Sequence, residues 1–282
     1  MCIHEYGLNN IIKEIFQMQK IVIFGTGELA QRIFYYLKNS DDKVVAFCAN
    51  KSNIDSNELL GLPVIAFEDI KEKYPPEKFL MFIALGYSEM NKKRTKFFDE
   101  AKNKGYELYS FVHPSTKIWD EFEMGENCFI LAENIIQPFV KIGDNVLIGS
   151  NNLISHNTVI QNNCFLTSNI TLGGHITIGA NSFIGLSATI NQRVKIGKEC
   201  IIGAGTLITK NVNDKEVYAE NSSRKLPQSS DEIGDIISCN IHPHLKEIDG
   251  PQPLFANLPY GAFTFNKTIN VKRPNNTHGI RI

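Results

Sequence analysis

A six-residue apolar repeat is the feature that most constrains what this chain can fold into. Every sixth residue from Val112 to Ile208, 17 positions in all, is Val, Ile, Leu or Met. At an apolar content of 43%, the probability of such a run is on the order of 10⁻⁶. A period of six fits neither an amphipathic helix nor an alternating strand. It predicts a parallel β-helix, in which three short strands form one triangular coil of about 18 residues and successive coils stack around a shared core.

A second column of residues, four places after each repeat position, supports the same fold. Most of its members are small or β-branched, as a tight interior corner requires. Asn134 and Asn152 interrupt the column one coil apart, and we expect their amides to form an interior ladder. Cys128, Cys164 and Cys200 also occupy it, which predicts buried free thiols. We expect the glycines that directly follow many repeat positions to permit sharp turns.

Three regions of different texture divide the chain. Short apolar runs alternate with helical stretches before the repeats, which predicts a small Rossmann-like α/β domain over residues 1–110. The repeats predict an all-β helical prism over residues 111–213. Residues 214–282 are rich in Pro, Asn and Gly, and we expect an irregular, partly β extension with a hairpin pattern around Ile269 and Val271.

The overall composition excludes several classes of partner. Lys and Arg number 29 against 30 Asp and Glu, so the net charge is −1 and gives no electrostatic reason for binding nucleic acid or an anionic membrane. No apolar run is long enough to cross a bilayer, and the N-terminus lacks the features of a signal peptide. We therefore expect a cytoplasmic protein.

A glycine-rich turn follows the first predicted strand. Gly25, Thr26 and Gly27 begin a Gly-x-Gly-x-x-Ala pattern, and such a turn can hold a phosphate against backbone N–H groups and a helix N-terminus. The second predicted strand ends at Asn50 without the carboxylate that an NAD ribose needs, which disfavours hydride chemistry. A site for a nucleotide-linked substrate and a purely structural turn both remain open at this point.

Two histidines lie well inside the repeat region. His156 and Gly174 are one coil apart, so the imidazole and an unhindered backbone N–H are expected within ~4.8 Å, one strand spacing. A proton acceptor beside such an N–H can serve acyl transfer, the first as general base and the second as oxyanion donor. The alternatives are an exposed corner histidine and an ordinary turn glycine. His156 and His175 are too few imidazoles for a zinc site, so no metal is expected.

Over roughly residues 20–226 the chain resembles the sugar O/N-acyltransferases of the sialic-acid O-acetyltransferase type, which include nucleotide-amino-sugar N-acetyltransferases. The hexads and the following segments carry the resemblance: the Gly25–Ala30 turn, Ala84–Gly86, Val112–Pro114, Ser155–Ile160, Leu172–His175, and Ile202–Gly205 through Tyr218.

The resemblance implies a left-handed β-helix that binds acetyl-CoA, a Rossmann-like domain that holds a nucleotide-diphosphate amino sugar, and a homotrimer with active sites between adjacent prisms. It implies N-acetyl transfer by direct attack on the thioester in cell-surface polysaccharide biosynthesis, with His156 as general base and Gly174 as oxyanion donor. The implied nucleotide-sugar residues are Gly25, Thr26, Gly27, Asn50 and Gly86, with His175 positioning a substrate. The implied coenzyme residues are Gly185, Gly203, Ala204 and Lys225.

Two positions depart from the family pattern. Asn157 stands where relatives usually carry an acidic residue after the catalytic histidine; its amide oxygen can still fix the ring tautomer but stabilises an imidazolium less. Phe165 stands where many relatives carry a second histidine. The alternatives to N-acetylation are O-acetylation of a sugar such as sialic acid, a longer-chain or carrier-linked acyl donor, and a non-catalytic scaffold with a nucleotide-binding domain.

Overall fold

The computed structural model describes residues 18–220 and two further strands. Residues 18–220 contain an α/β sheet followed by the repeat region. The two further strands, β24 (Ile269–Arg273) and β25 (Asn276–Ile280), pair antiparallel and form a hairpin where the sequence pattern predicted one.

The N-terminal region is a small, mostly parallel sheet with helices between its strands. Its strands and helices are β1 (Lys20–Phe24), α1 (Glu28–Leu37), β2 (Lys43–Ala49), β3 (Glu58–Leu59), β4 (Leu62–Ala66), α2 (Ile70–Lys73), β5 (Leu80–Ile83) and α3 (Lys92–Asn103). The strand order is β3-β4-β2-β1-β5, and only β3 runs antiparallel to its neighbour. The predicted α/β domain is confirmed; the short edge strand β3 was not foreseen.

The strand order of this sheet contains a reversal, beside which open α/β sheets form a crevice for a ligand. The chain moves outward from β1 to β2 and β4, and then crosses to the other side of β1 to form β5. Ligands of open α/β sheets bind at such a reversal, beyond the carboxyl ends of the strands. Here the loops that follow β1 and β5 meet at that edge, at Gly25 and Ala84.

The repeat region is a left-handed parallel β-helix of two-residue strands. Its strands are β6 (Phe111–Val112), β7 (Lys117–Ile118), β8 (Glu123–Met124), β9 (Phe129–Ile130), β10 (Ile135–Ile136), β11 (Lys141–Ile142), β12 (Leu147–Ile148), β13 (Leu153–Ile154), β14 (Val159–Ile160), β15 (Phe165–Leu166), β16 (Thr171–Leu172), β17 (Thr177–Ile178), β18 (Phe183–Ile184), β19 (Thr189–Ile190), β20 (Lys195–Ile196), β21 (Ile201–Ile202), β22 (Leu207–Ile208) and β23 (Val217–Tyr218). The last of these lies beyond the predicted boundary at residue 213.

Three parallel sheets make the three faces of the prism. The domain face comprises β6, β9, β12, β15, β18, β21 and β23; the second face comprises β7, β10, β13, β16, β19 and β22; and the third face comprises β8, β11, β14, β17 and β20. The chain visits the faces in that order on every coil. The glycine corner, with Gly185 and Gly203, lies between the domain and second faces. The histidine corner, with His156 and His175, lies between the second and third faces. The arginine corner, which Arg94 of α3 contacts, lies between the third and domain faces.

The interior of the prism follows the sequence prediction closely. The repeat positions from Ile130 to Ile208 form one continuous buried core, and Cys128, Cys164 and Cys200 are buried free thiols. Asn152 Nδ2 donates to Asn134 Oδ1 at 2.9 Å. This confirms the interior amide ladder, which supplies partners that a single buried amide would lack.

The role expected of the glycines that follow the repeat positions was wrong. The left-handed conformation occurs two residues later, often at asparagine, as at Asn145 with φ 58°. A β-carbon added at Gly143 would lie 2.9 Å from the backbone nitrogen of Asn162 on the next coil. These glycines are therefore needed for space between coils, whereas asparagine, which tolerates positive φ, takes the turn.

The α/β sheet packs against the domain face. The Phe129 ring stacks on Phe111 and lies 5.4 Å from the ring of Phe82 in β5, centroid to centroid. At the arginine corner, Asn127 Oδ1 accepts the backbone N–H of Ile83 at 2.8 Å. These contacts fix the side of the prism on which the sheet sits.

Candidate active site

His156 lies at the histidine corner with the edge of its ring against Gly174. A β-carbon added at Gly174 would lie 2.7 Å from both Nε2 and Cε1 of the imidazole. The predicted one-coil proximity of the two residues is therefore confirmed. Only a glycine leaves room for the ring in this position.

Asn157 fixes the orientation of the ring. His156 Nδ1 and Asn157 Oδ1 are 3.0 Å apart. Because an amide oxygen can only accept, Nδ1 carries the proton in this hydrogen bond and Nε2 is left as an acceptor. Asn157 adopts φ 58°, a conformation that asparagine tolerates better than most residues.

The backbone N–H of Gly174 is a donor without a protein partner in the described part of the chain. The N–H groups of the two adjacent residues both have acceptors. The Gly173 N–H donates to Ile190 O at 2.9 Å, and the His175 N–H donates to His156 O at 2.9 Å. Gly174 O accepts the N–H of Arg193 at 2.9 Å. The site therefore offers a ring acceptor and a free, fixed N–H on adjacent coils.

His175 and Gln137 complete the surroundings of His156. The His175 ring is exposed and lies edge-on to His156, with ring centroids 5.0 Å apart. Gln137 Oε1, on the preceding coil, accepts the backbone N–H of His156 at 3.0 Å. Gln137 was not predicted from the sequence. Its separation of 19 residues from His156, one more than a full coil, could have identified it.

The predicted nucleotide residues gather at the crevice of the α/β sheet. Gly25 has φ 119°, and a β-carbon there would lie 2.9 Å from Ala84 O, so the turn requires glycine. Gly27 directly precedes α1, and a β-carbon there would meet nothing within 4 Å. Thr26 O accepts the side-chain amide of Gln31 at 3.3 Å.

Asn50 and Gly86 lie at the same edge of the sheet. Asn50 directly follows β2 and is half-buried, and Gly86 lies just beyond β5, with space where a side chain would project. Glu68 also reaches this edge, because its carboxylate accepts the backbone N–H of Lys51 at 3.0 Å. That carboxylate was not predicted, because Glu68 belongs to a later 3₁₀ turn, Phe67–Asp69, that is distant in sequence from β1.

The predicted coenzyme residues lie at a different corner from His156. Gly185 and Gly203 are stacked on adjacent coils at the glycine corner, and a β-carbon at Gly185 would lie 2.5 Å from the nitrogen of Ala204. The second face separates this corner from the histidine corner. One prism therefore does not bring the two sets together, and Lys225 lies outside the described residues.

Phe165 takes part in domain packing. Its ring stacks on Phe183 with centroids 5.8 Å apart, and Tyr87 and the Arg94 guanidinium lie against it. Phe165 projects from the domain face, which does not border the histidine corner. A histidine at this position would lie beside the sheet of its own chain.

The described residues offer few other features of functional interest. No helix among them is long and apolar enough to cross a membrane. Within the same part of the chain, no cluster of three or more His, Cys, Asp or Glu side chains could hold a metal ion.

Two families match separate parts of the chain. The family described as GMPPB C-terminal domain matches residues 109–230, and the family described as C2185-like, N-terminal, matches residues 17–75. The match over residues 109–230 begins two residues before the first strand of the prism, and the match over residues 17–75 lies within the α/β region. No curated protein matches the chain significantly.

Solved structures share the fold over most of their length. An alanine variant of GDP-perosamine N-acetyltransferase from Caulobacter crescentus, in complex with CoA and GDP-perosamine, is 24% identical with a TM-score of 0.64, covering 71% of this chain and 93% of that one. The acetyltransferase domain of PglB from Neisseria gonorrhoeae, in complex with acetyl coenzyme A, is 20% identical with a TM-score of 0.65, covering 74% and 100%.

These likenesses define the class of fold. The chain has the architecture of the hexapeptide-repeat sugar N-acetyltransferases, a left-handed β-helix preceded by a small α/β domain. The family resemblance inferred from the sequence is thereby confirmed at the level of the fold.

Proposed function

We propose that this protein transfers an acetyl group from acetyl-CoA to the amino group of a nucleotide-linked amino sugar. The observation that carries the proposal is the pairing of the His156 ring acceptor with the free Gly174 N–H. A single prism corner thus presents the two groups that acyl transfer needs, in a fold whose leading domain has a crevice suited to a nucleotide. The similar structures that contain CoA and a nucleotide sugar support this assignment.

The mechanism follows from the tautomer of the His156 imidazole, in which Nδ1 carries the proton and Nε2 is the acceptor. The neutral amine attacks the thioester carbonyl carbon directly, and His156 Nε2 accepts the proton that the nitrogen releases. The Gly174 N–H stabilises the oxyanion of the tetrahedral intermediate. The C–S bond then breaks, the amide is complete, and the imidazolium returns its proton to the departing CoA sulfur. Asn157 keeps the ring in the required tautomer throughout.

The two substrates are assigned to separate elements. The Gly25–Gly27 turn, Asn50 and Gly86 would hold the nucleotide diphosphate, with the N-terminus of α1 facing the phosphates. Gly185, Gly203 and Ala204 would lie along the coenzyme. His175, exposed beside His156, would orient the acceptor or the thioester.

The position of the crevice supports assembly of more than one chain. The α/β sheet packs on the domain face, and the histidine corner is the one corner that this face does not border. A sugar held in the crevice of one chain therefore reaches the histidine corner of another chain more easily than that of its own chain. We propose a homotrimer, whose rotation brings each corner toward a neighbouring prism.

The test is release of CoA thiol with acetyl-CoA and a panel of nucleotide-diphosphate amino sugars, GDP-perosamine among them. We expect turnover with at least one member, and a product whose acetyl group resists hydroxylamine, as an amide does and an ester does not. His156→Asn should lower kcat about 10²–10⁴-fold, because the general base is lost. Its melting temperature should not change, since the side chain is exposed.

His113→Asn is the matched control, because His113 lies at the domain junction away from Gly174. It should leave turnover within about twofold of the wild type. Full activity of His156→Asn would overturn the assignment of the base. Absence of thiol release with every sugar would favour the scaffold alternative, and a product cleaved by hydroxylamine would favour O-acetylation.

A further inference from the structure

Phe139 is an exposed aromatic side chain one coil from the candidate reaction centre. Its side chain is 52% exposed, and its backbone has φ 63°. The preceding residue, Pro138, accepts the backbone N–H of Asn157 at 3.2 Å, which places Phe139 beside Asn157 on the neighbouring coil. Asn157 in turn holds the His156 ring.

The backbone conformation makes a phenylalanine unfavourable here. Bulky residues rarely adopt positive φ, whereas asparagine does so readily. Other coils of this prism place asparagine in the same turn conformation, as at Asn145 and Asn163. Among the described left-handed positions of the prism, Phe139 alone carries a hydrocarbon side chain. Neither the turn nor the core explains it.

Phe139 belongs to a row of corner residues that changes character along the prism. The row comprises the left-handed residues of the histidine corner, one per coil: Glu121, Phe139, Asn157, His175 and Arg193. The apolar member lies on the N-terminal side of His156, and the basic members lie on the C-terminal side. The residues proposed for the coenzyme also lie on later coils.

We propose that the Phe139 ring is the platform for the apolar face of the acceptor sugar ring. This inference rests on the proposed function. The reacting nitrogen lies at His156 Nε2, to which it gives its proton. The sugar carbon that bears this nitrogen is one bond away, so the sugar ring lies beside the histidine corner. Aromatic rings bind well to surfaces that combine an apolar face with polar edges. The carbon-bound hydrogens of a sugar provide such a face, and its hydroxyl groups remain in solvent.

Phe139→Asn tests the proposal, because it installs the residue that the turn prefers. The probes are acetyl-CoA and the nucleotide-diphosphate amino sugar that the wild type acetylates fastest. We expect KM for the sugar to rise about tenfold, because the ring's apolar contact is lost. KM for acetyl-CoA and the mass of the assembly in solution should not change, and the melting temperature should be equal or higher.

Two further variants sharpen the result. Phe139→Tyr keeps the aromatic face and should restore the wild-type KM for the sugar. Glu133→Asn makes the same replacement at a left-handed position of the glycine corner, with φ 60°, and should leave both KM values unchanged.

The possible outcomes distinguish failure of this proposal from failure of the proposed function on which it rests. Turnover by the wild type with an unchanged sugar KM in Phe139→Asn overturns the platform and leaves the proposed function standing. A raised KM for acetyl-CoA alone assigns the ring to the coenzyme, and dissociation of the assembly assigns it to a subunit contact; either result overturns the platform. If the wild type neither binds nor acetylates any nucleotide amino sugar, both proposals fail.

Discussion

The histidine and arginine corners of the prism share one backbone and put their asparagines to different uses. At the arginine corner, Asn127 Nδ2 donates to Asn145 Oδ1 at 2.7 Å, and Asn145 Nδ2 donates to Asn163 Oδ1 at 2.8 Å. At the histidine corner, Asn157 Oδ1 turns aside to His156 Nδ1. The first arrangement links three successive coils through their side-chain amides. The second leaves a ring nitrogen and a backbone N–H free for a ligand.

The arginine corner is also where the prism holds the α/β domain. Arg94, fully buried in α3, donates to Asn145 O at 3.0 Å, to Cys164 O at 3.2 Å and to Leu85 O at 3.4 Å. None of the ion pairs in the described residues involves it, and burial lowers the pKa of its guanidinium to about 10. A buried charge is tolerated where several acceptors surround it. This corner therefore serves stability, whereas the histidine corner is the one that we propose for catalysis.

Among the variants that compare the two corners, the largest effect is expected from Gly174→Ala at the histidine corner. Alanine already occupies the same place in the hexad at Ala132 and Ala180, so the backbone accepts a β-carbon and only the imidazole excludes it. We expect kcat to fall about 10²–10³-fold, because the β-carbon displaces the imidazole from its place beside the backbone N–H, which alanine retains. The melting temperature should be unchanged.

Ser150→Ala provides the control for this variant, because it places alanine at the same hexad position of the glycine corner. It should keep wild-type turnover. If Gly174→Ala remained fully active, the contact between the imidazole and Gly174 would have no catalytic consequence.

Arg94→Met should have the next largest effect, on stability. The variant keeps about the length of the side chain. It removes the donor to Asn145 O and one of the two donors to Cys164 O, which still accepts the N–H of Leu147 at 3.1 Å. We expect the free energy of unfolding to fall by about 2–3 kcal/mol, measured by urea denaturation. Lys93→Met, exposed on the same helix, should change it by less than about 0.5 kcal/mol. Equal effects of the two variants would show that the arginine corner does not hold the domain.

The smallest effect at neutral pH is expected from a substitution of Cys164, which changes the pH dependence of stability. Burial raises the pKa of this thiol from 9.0 to about 12. Because the folded-state value is the higher one, its contribution to stability is fully present below the unfolded value near 9.0 and is lost as the pH rises through about 12. The slope for one group is at most about 1.4 kcal/mol per pH unit.

Cys164→Val should therefore flatten the fall in melting temperature between about pH 8 and about pH 11, while leaving the value at neutral pH nearly unchanged. Valine suits the site because Val146 and Val194 occupy the same interior column. Identical pH profiles for wild type and variant would contradict the assigned burial effect.

The repeat itself determined the part of the site that the sequence could predict. A strict period fixes which residues stack on adjacent coils, so the contact of His156 with Gly174 and the Asn134–Asn152 ladder follow from counting. The alternation of apolar runs and helices likewise determined the α/β sheet. These features depend on local periodicity, in which each residue's neighbour is set by its distance along the chain.

Only the tertiary structure decided which face of the prism holds the α/β sheet and which corner stays free. That choice depends on contacts between distant segments, such as Asn127 with Ile83 and Arg94 with Asn145, and no local pattern encodes them. For the same reason the sequence did not show that Gly185 and Gly203 lie on a different corner of one prism from His156. The glycines that follow the repeat positions show the same limit, because the need for space between coils becomes visible only when the coils are stacked.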